Sequence, residues 1–186
     1  DDGSATSPFA SMPEDAPAPV TLDVLGNDID PNGDRLTVVS ATSPHGVVSI
    51  NPDGTLTFTP SADFNGVATI AYTVSDGRNG SSSATAFVNV TATNDAPVAV
   101  ADTFVVDEDG AAQALSLRGN DTDLDGDALT ILSIANTPIT PGVTQAIAVT
   151  GGTVNVAADG SVSFLPAPDF NGPVNFSYTI IDGSGA

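Results

Sequence analysis

Apolar and polar positions alternate along most of this chain. Thr55-Leu56-Thr57-Phe58-Thr59 does so without a break, as a strand with one buried face should. Runs of Val, Ile, Thr, Phe and Tyr are separated by Asn-Gly, Asp-Gly and Pro, residues that end strands and make turns. Asn51-Pro52-Asp53-Gly54 reads as a hairpin turn, with Pro presetting φ and Gly taking a positive φ. In the first half of the chain the pattern predicts strands near Ser7–Met12, Val20–Leu25, Leu36–Thr42, Val47–Ile50, Thr55–Thr59, Val67–Ser75 and Ala84–Thr91. No helical stretch interrupts them.

The pattern occurs twice. Leu22–Thr37 (LDVLGNDIDPNGDRLT) returns 93 positions later as Leu115–Thr130 (LSLRGNDTDLDGDALT). Asp53–Pro60 (DGTLTFTP) returns 106 positions later as Asp159–Pro166 (DGSVSFLP). The DFNG of Asp63–Gly66 and the YTVSDG of Tyr72–Gly77 recur at Asp169–Gly172 and Tyr178–Gly183 with the same offset. The second copy therefore carries 13 extra residues, around Thr137–Gly151. Four matched blocks in one order mean two homologous domains, expected at residues 1–94 and 95–186. Seven short strands per copy imply an all-β fold, two tandem immunoglobulin-like β-sandwich domains. The counterpart of Ala84–Thr91 would fall beyond Ala186, so the second domain is expected to lack its last strand. A boundary drawn inside a repeat explains this, and a monomeric fragment is then expected. The other reading is strand exchange, with a neighbouring molecule pairing beside Val174–Ile181.

Charge narrows the choice of partner. Lys+Arg number 3 against 23 Asp+Glu, a formal net charge of −20. Three Arg and no Lys cannot neutralise a run of phosphates, so nucleic acid is excluded as a partner. An anionic membrane surface would repel the chain, and no run of about 18 apolar residues suggests membrane insertion. No signal peptide is visible, and the Asp1-Asp2-Gly3 start is that expected of an excised piece. Without Cys there are no disulfides or thiolate metal sites, and without Lys no Lys–Asn isopeptide staple. Cohesion must come from the core and, on this reading, from metal.

The acid is clustered. Asp28, Asp30, Asn32 and Asp34 surround Gly33, and Asp121, Asp123, Asp125 and Asp127 surround Gly126. Alternate side chains on such a tight loop converge on one side, and the Gly permits the sharp turn. Ca²⁺ takes about 6–8 oxygens and tolerates irregular geometry, whereas Mg²⁺ demands an octahedron and keeps its waters. Neither loop is an EF-hand, because the twelfth position is Val39 or Leu132 and no helices flank it. Asp, Asn and Gly also make a good interstrand turn with no ion at all.

Strand direction extends the argument. With strands alternating up and down, the acidic loop lies where the chain enters a domain, and so does Asp182 (Asp76 in the first copy). Glu14, Asp15 and Asp63 lie at the opposite end, followed by the linker Asn94-Asp95. Two acidic caps are therefore expected to meet at the junction, with Pro97 stiffening the linker and calcium locking the ends together.

This arrangement resembles the cadherin repeat, in which interdomain calcium is held by a Glu after the first strand, a DxNDNAP linker and a DxD loop of the next domain. Thr91–Pro97 (TATNDAP) stands at the linker position with one acid and one Asn fewer. The chain is more similar to bacterial cadherin-like and Ig-like tandem repeats, including the VCBS-type repeats of giant RTX adhesins. The shared pieces are NDAPVAVAD, the EDG segment, GNDxDxDGDxLT, DGxxxFxP, DFNG and YTxxDG, which cover most of the chain. The resemblance implies a secreted bacterial surface protein whose many copies form a calcium-stiffened stalk, with neighbouring repeats of the same chain as partners.

Other chemistry is thin. His45 is the only histidine, which argues against a zinc site or a catalytic triad and suits an exposed turn. Paired carboxylates of a glycosidase need aromatic sugar platforms, and there is no Trp and only two Tyr. Tyr72, Tyr178, Phe64 and Phe170 recur at matched places and read as core. No enzyme is expected. A second functional class stays open: a module that grips a host or biofilm surface glycan or protein through the apolar insertion, with Ile139, Val143, Ile147 and Val149, although the same residues equally suit one extra hairpin.

Overall fold

Burial follows the period-two pattern. Leu22 and Val24, Leu56 and Phe58, Ala68, Ile70, Tyr72 and Val74, and Ala86, Val88 and Val90 are all buried, each separated by one less buried residue. These side chains, with Met12 and Val38, make one core. The computed structural model describes residues 3–4 and 7–185 and divides into two units, Asp1–Thr93 and Asn94–Ala186.

In the first unit β1 (Gly3–Ser4) and β2 (Ser7–Pro8) form a short ribbon ahead of β3 (Ala10–Pro13). Then come β4 (Val20–Leu22), β5 (Thr37–Thr42), β6 (Gly46–Ile50), β7 (Leu56–Pro60), β8 (Gly66–Ser75) and β9 (Ser81–Thr91). Two sheets, ordered β3-β9-β8-β5 and β4-β7-β6, enclose the core as a sandwich. The strand expected over Ser7–Met12 is broken at Phe9, and β3 runs parallel to β9, a pairing no local pattern specifies. Val20–Leu25 is shorter than expected, because the chain turns at Leu25, whose carbonyl accepts the Asp28 N–H.

The second unit repeats this plan with β10 (Gln113–Leu115), β11 (Thr130–Ile134), β14 (Gly152–Val156), β15 (Val162–Pro166) and β16 (Tyr178–Ile181). The register shift between Val38 and Ser40 returns between Ile131 and Ser133. The insertion supplies β12 (Thr137–Pro138) and β13 (Gln145–Val149). Ala135 and Asn136, both at positive φ, turn β11 back onto β12, and β13 joins as a fourth strand in the order β10-β15-β14-β13. Ile147 is buried there, with Ile139 and Val149 packed on the core. Among the described residues this unit has no counterpart of β9.

The division between units falls one residue ahead of the expected boundary. Asn94 stands in the second unit, where its Nδ2–H donates to Asp182 Oδ2 at 2.8 Å.

Candidate metal centre

Each acidic loop is folded by its own second aspartate. Asp30 Oδ1 accepts the N–H of Asn32 at 2.8 Å and of Asp34 at 3.0 Å, and Asp123 Oδ1 accepts the Asp127 N–H at 3.0 Å. Gly33 and Gly126 close the turns, donating to the carbonyls of Asp30 and Asp123. Both glycines stand at φ 78°, and nothing lies within 4 Å of where a Cβ would sit. The left-handed backbone, not crowding, is what requires glycine.

The first aspartate of each loop is held from below by a tyrosine. The Tyr72 hydroxyl reaches the Val24 carbonyl at 3.3 Å and Asp28 Oδ2 at 3.5 Å. The Tyr178 hydroxyl lies 3.0 Å from Asp121 Oδ1, 3.1 Å from Asp102 Oδ2 and 3.0 Å from the Val100 carbonyl. Burial first, then these carboxylate acceptors, push the Tyr178 phenol above its ordinary value. Asp121 Oδ1 also takes the Val100 N–H at 2.8 Å. Tyr72 thus packs in the core, as expected, Tyr178 lies partly buried against its own, and both fix the loops above.

The two loops differ in what surrounds them. In the first, Asp34 pairs with Arg78 at 3.2 Å. The matched position of the second repeat is Ser184, which brings no charge. There Asp125 Oδ2 accepts the Asp95 N–H at 2.8 Å, Asn94 Nδ2–H bridges the Asp95 carbonyl and Asp182, and Asp182 is 4% exposed. Asp182 Oδ1 is taken by Ser184 and Gly185. One side-chain atom in this set, Asp123 Oδ2, is buried with no hydrogen-bond partner. Asn94, Asp95, Asp121, Asp123, Asp125 and Asp182 therefore gather on one end of the second repeat, while Asp127 is exposed beside them.

The opposite-end residues of the first repeat behave differently from one another. Glu14 is 6% exposed, with Oε1 accepting the Thr93 N–H at 2.8 Å and Oε2 the Asn65 Nδ2–H at 3.2 Å. Asp15 and Asp63 are exposed, and Asp63 stands at φ 58°, a backbone conformation that Asp tolerates. Asn65, not Asp63, is the DFNG residue on Glu14. The pairing recurs between Asn171 and Glu108 at 3.3 Å, so the repeated ED and DFNG blocks carried the signal. His45 corrects an expectation: it is half-buried, stacked on Phe64 at 4.6 Å, with Nδ1 accepting the Thr69 N–H.

Chemically, the second-repeat end offers only carboxylate, amide and backbone oxygens. That donor set suits a hard divalent cation, and it provides no nitrogen or sulfur ligand for a softer one.

Comparison with known proteins gave two matches along the chain: residues 3–91 and residues 94–186 each match the family model described as bacterial Ig domain. No curated protein matched. Among solved structures, an endo-fucoidan hydrolase of glycoside hydrolase family 107 aligns with 81% of this chain at 21% identity and a TM-score of 0.26. The chain covers 24% of that structure, and so low a score carries no argument.

Proposed function

The chain belongs to the bacterial Ig domain family, twice over, and from that membership we propose a calcium-binding structural repeat in the stalk of a secreted bacterial surface adhesin. Bacterial Ig domains are typically non-enzymatic and extracellular, which supports a spacer role. No helix among the described residues is long and apolar enough to cross a membrane.

Calcium rests on Asp123 Oδ2. A buried carboxylate oxygen with no partner costs on the order of 1–3 kcal/mol or more, a cost that a bound cation would relieve. Asp121, Asp123, Asp125 and Asp182, with Asn94 and Asp95 beside them, would hold the ion. The ion would neutralise carboxylates in a chain of net charge −20. Asp28, Asp30, Asn32 and Asp34 form a weaker second candidate, because Arg78 already compensates Asp34.

Calorimetric titration of Ca²⁺ into chelator-treated protein, followed by thermal unfolding, tests this reading. Saturable binding is expected, with stabilisation of about 2.7 kcal/mol at roughly a hundred times Kd. Asp123→Asn and Asp125→Asn should each remove most of it. A melting curve that EDTA leaves unchanged overturns the calcium reading. The alternative, a ligand module using the insertion, has Val143 exposed while Ile147, Ile139 and Val149 turn to the core. A glycan-array hit lost on deleting the insertion would favour it.

A further inference from the structure

The LDVLGND of Leu22–Asp28 returns in the second repeat as the LSLRGND of Leu115–Asp121, so Arg118 stands where the first repeat has Leu25. Leu25 is half-buried against the first core, with its Cδ1 3.1 Å from where a Cβ on Gly54 would sit. Gly160, the match of Gly54, has nothing within 4 Å of the corresponding point. The place of the leucine side chain is therefore unfilled in the second repeat. A groove of about 640 Å³ opens there, walled by Leu117, Leu129, Ile131, Gly160 and Val162, with the exposed Arg118 at its edge. Ile131 is only half-buried, where the matched Val38 is buried. The elements around the groove, β10, β11 and β15, match β4, β5 and β7, so the repeats differ here in side chains and not in strands.

The charge at the groove is as unusual as its shape. Arg118 is the one Lys or Arg in residues 94–186 of a chain with 23 Asp and Glu. Yet among the described residues no carboxylate comes within ion-pair distance of it, whereas Arg78 pairs with Asp34. Its Nη1 donates to the carbonyl of Leu129, a wall residue, and the rest of its five-donor fork has no partner among the described residues. Ser116, which also lines the groove, stands where the first repeat has Asp23, so no acid takes that position. An apolar slot therefore lies beside a cation whose donors are free.

We propose that this groove binds a small monocarboxylate with an aliphatic tail, the carboxylate on Arg118 and the tail in the place that Leu25 fills in the first repeat. A guanidinium fork matches the two oxygens of a carboxylate, and it does so best where no internal acid competes. The walls are aliphatic and carry no aromatic ring for a sugar to stack on, which selects a hydrocarbon tail. The volume lies in the range of small-molecule sites, roughly 300–1,000 Å³. A net charge of −20 repels polyanions far more than a single negative head, so the ligand carries one charge. The site needs no metal and stands apart from the calcium reading.

The probe is octanoate, titrated below its micelle concentration into the isotope-labelled full chain and followed by amide chemical shifts. Calcium is chelated throughout, so that no ion on the acidic loops can take the carboxylate. Saturable shifts with one site per chain are expected, centred on residues 115–119, 129–131 and 160–162. Arg118→Gln keeps the groove and removes the charge, and should weaken octanoate about tenfold or more while leaving 1-octanol unchanged. Arg118→Leu restores the first-repeat residue and should abolish binding of both by filling the groove. The amide spectrum of each variant reports whether it is folded. The proposal is overturned by the absence of saturable shifts, or by shifts centred elsewhere. Equal affinity for octanoate and 1-octanol, or octanoate binding that Arg118→Gln or Arg118→Leu leaves at the parent's strength, overturns it as well.

Discussion

Tyr178 places its hydroxyl 3.0 Å from Asp121 Oδ1, joining residues 57 positions apart at the first acid of a DxDxDGD loop. Tyr72 and Asp28 repeat the relationship in the first domain. The loop therefore stands on the sandwich core through a phenol. In the Tyr72→Phe variant Tyr178 is the only tyrosine, so near-ultraviolet absorbance reports it alone. With calcium chelated, its phenol should ionise above the ordinary 10.0, because burial and the Asp121 and Asp102 carboxylates oppose a phenolate. A raised pKa stabilises the fold fully below the unfolded value and loses that contribution as pH rises through the folded one. Alkaline unfolding should therefore accompany the phenolate signal, and Asp121→Asn should bring its onset to lower pH.

The hairpin acids should act at the other end of the pH scale. Asp53 accepts the Thr55 hydroxyl at 2.7 Å and its N–H at 3.0 Å, and these bonds hold its carboxyl below the usual range. Asp159, bonded to Ser161, is lowered likewise. A lowered pKa stabilises the fold above the unfolded value of 3.8 and is lost as pH falls through the folded one. Asp53→Asn should flatten the acid side of a stability–pH profile, read from urea midpoints, while leaving the alkaline side alone.

Glycine at the acidic turns is a conformational requirement. Gly126→Ala meets open space but must hold φ near 78°, which costs about 1–2 kcal/mol. Gly126→Asn should cost less, because Asn tolerates the left-handed region. Thermal unfolding of the two variants, ranked against the parent, checks the order.

Phe58 and Phe164 occupy matched core positions and are 0% and 3% exposed. Phe58→Ala should lose about 3–5 kcal/mol, because the closed sandwich around it relaxes little. Phe164→Ala should fall in the same range, since its ring is buried in the matched place of the second core. Denaturant midpoints of the two variants compare them directly.

Much of the site was legible because its grammar is local. The spacing of Asp121, Asp123, Asp125, Asp127 and Gly126 is a property of seven adjacent residues, and the loop folds on bonds within itself. The partners of Glu14 were not legible in the same way. Asn65 is 51 residues away, and only the recurrence of ED with DFNG hinted at it. His45 was misjudged because the stacking partner Phe64 is contributed by a different turn. The insertion read equally as a binding surface or as one extra hairpin, and it forms the hairpin: β13 pairs with β14 and buries Ile147.

From sequence alone, alternation of side chains over two residues determined where strands run, and the duplicated blocks determined that there are two domains of one plan. Both follow from covalent geometry, since neighbouring side chains on an extended backbone must point to opposite faces. Tertiary structure alone decided which strands became neighbours, as in the parallel contact of β3 with β9. It also decided which carboxylate oxygen, Asp123 Oδ2, lies buried without a hydrogen-bond partner. Those outcomes depend on residues brought together from distant parts of the chain, and local side-chain periodicity carries no information about which face will meet which.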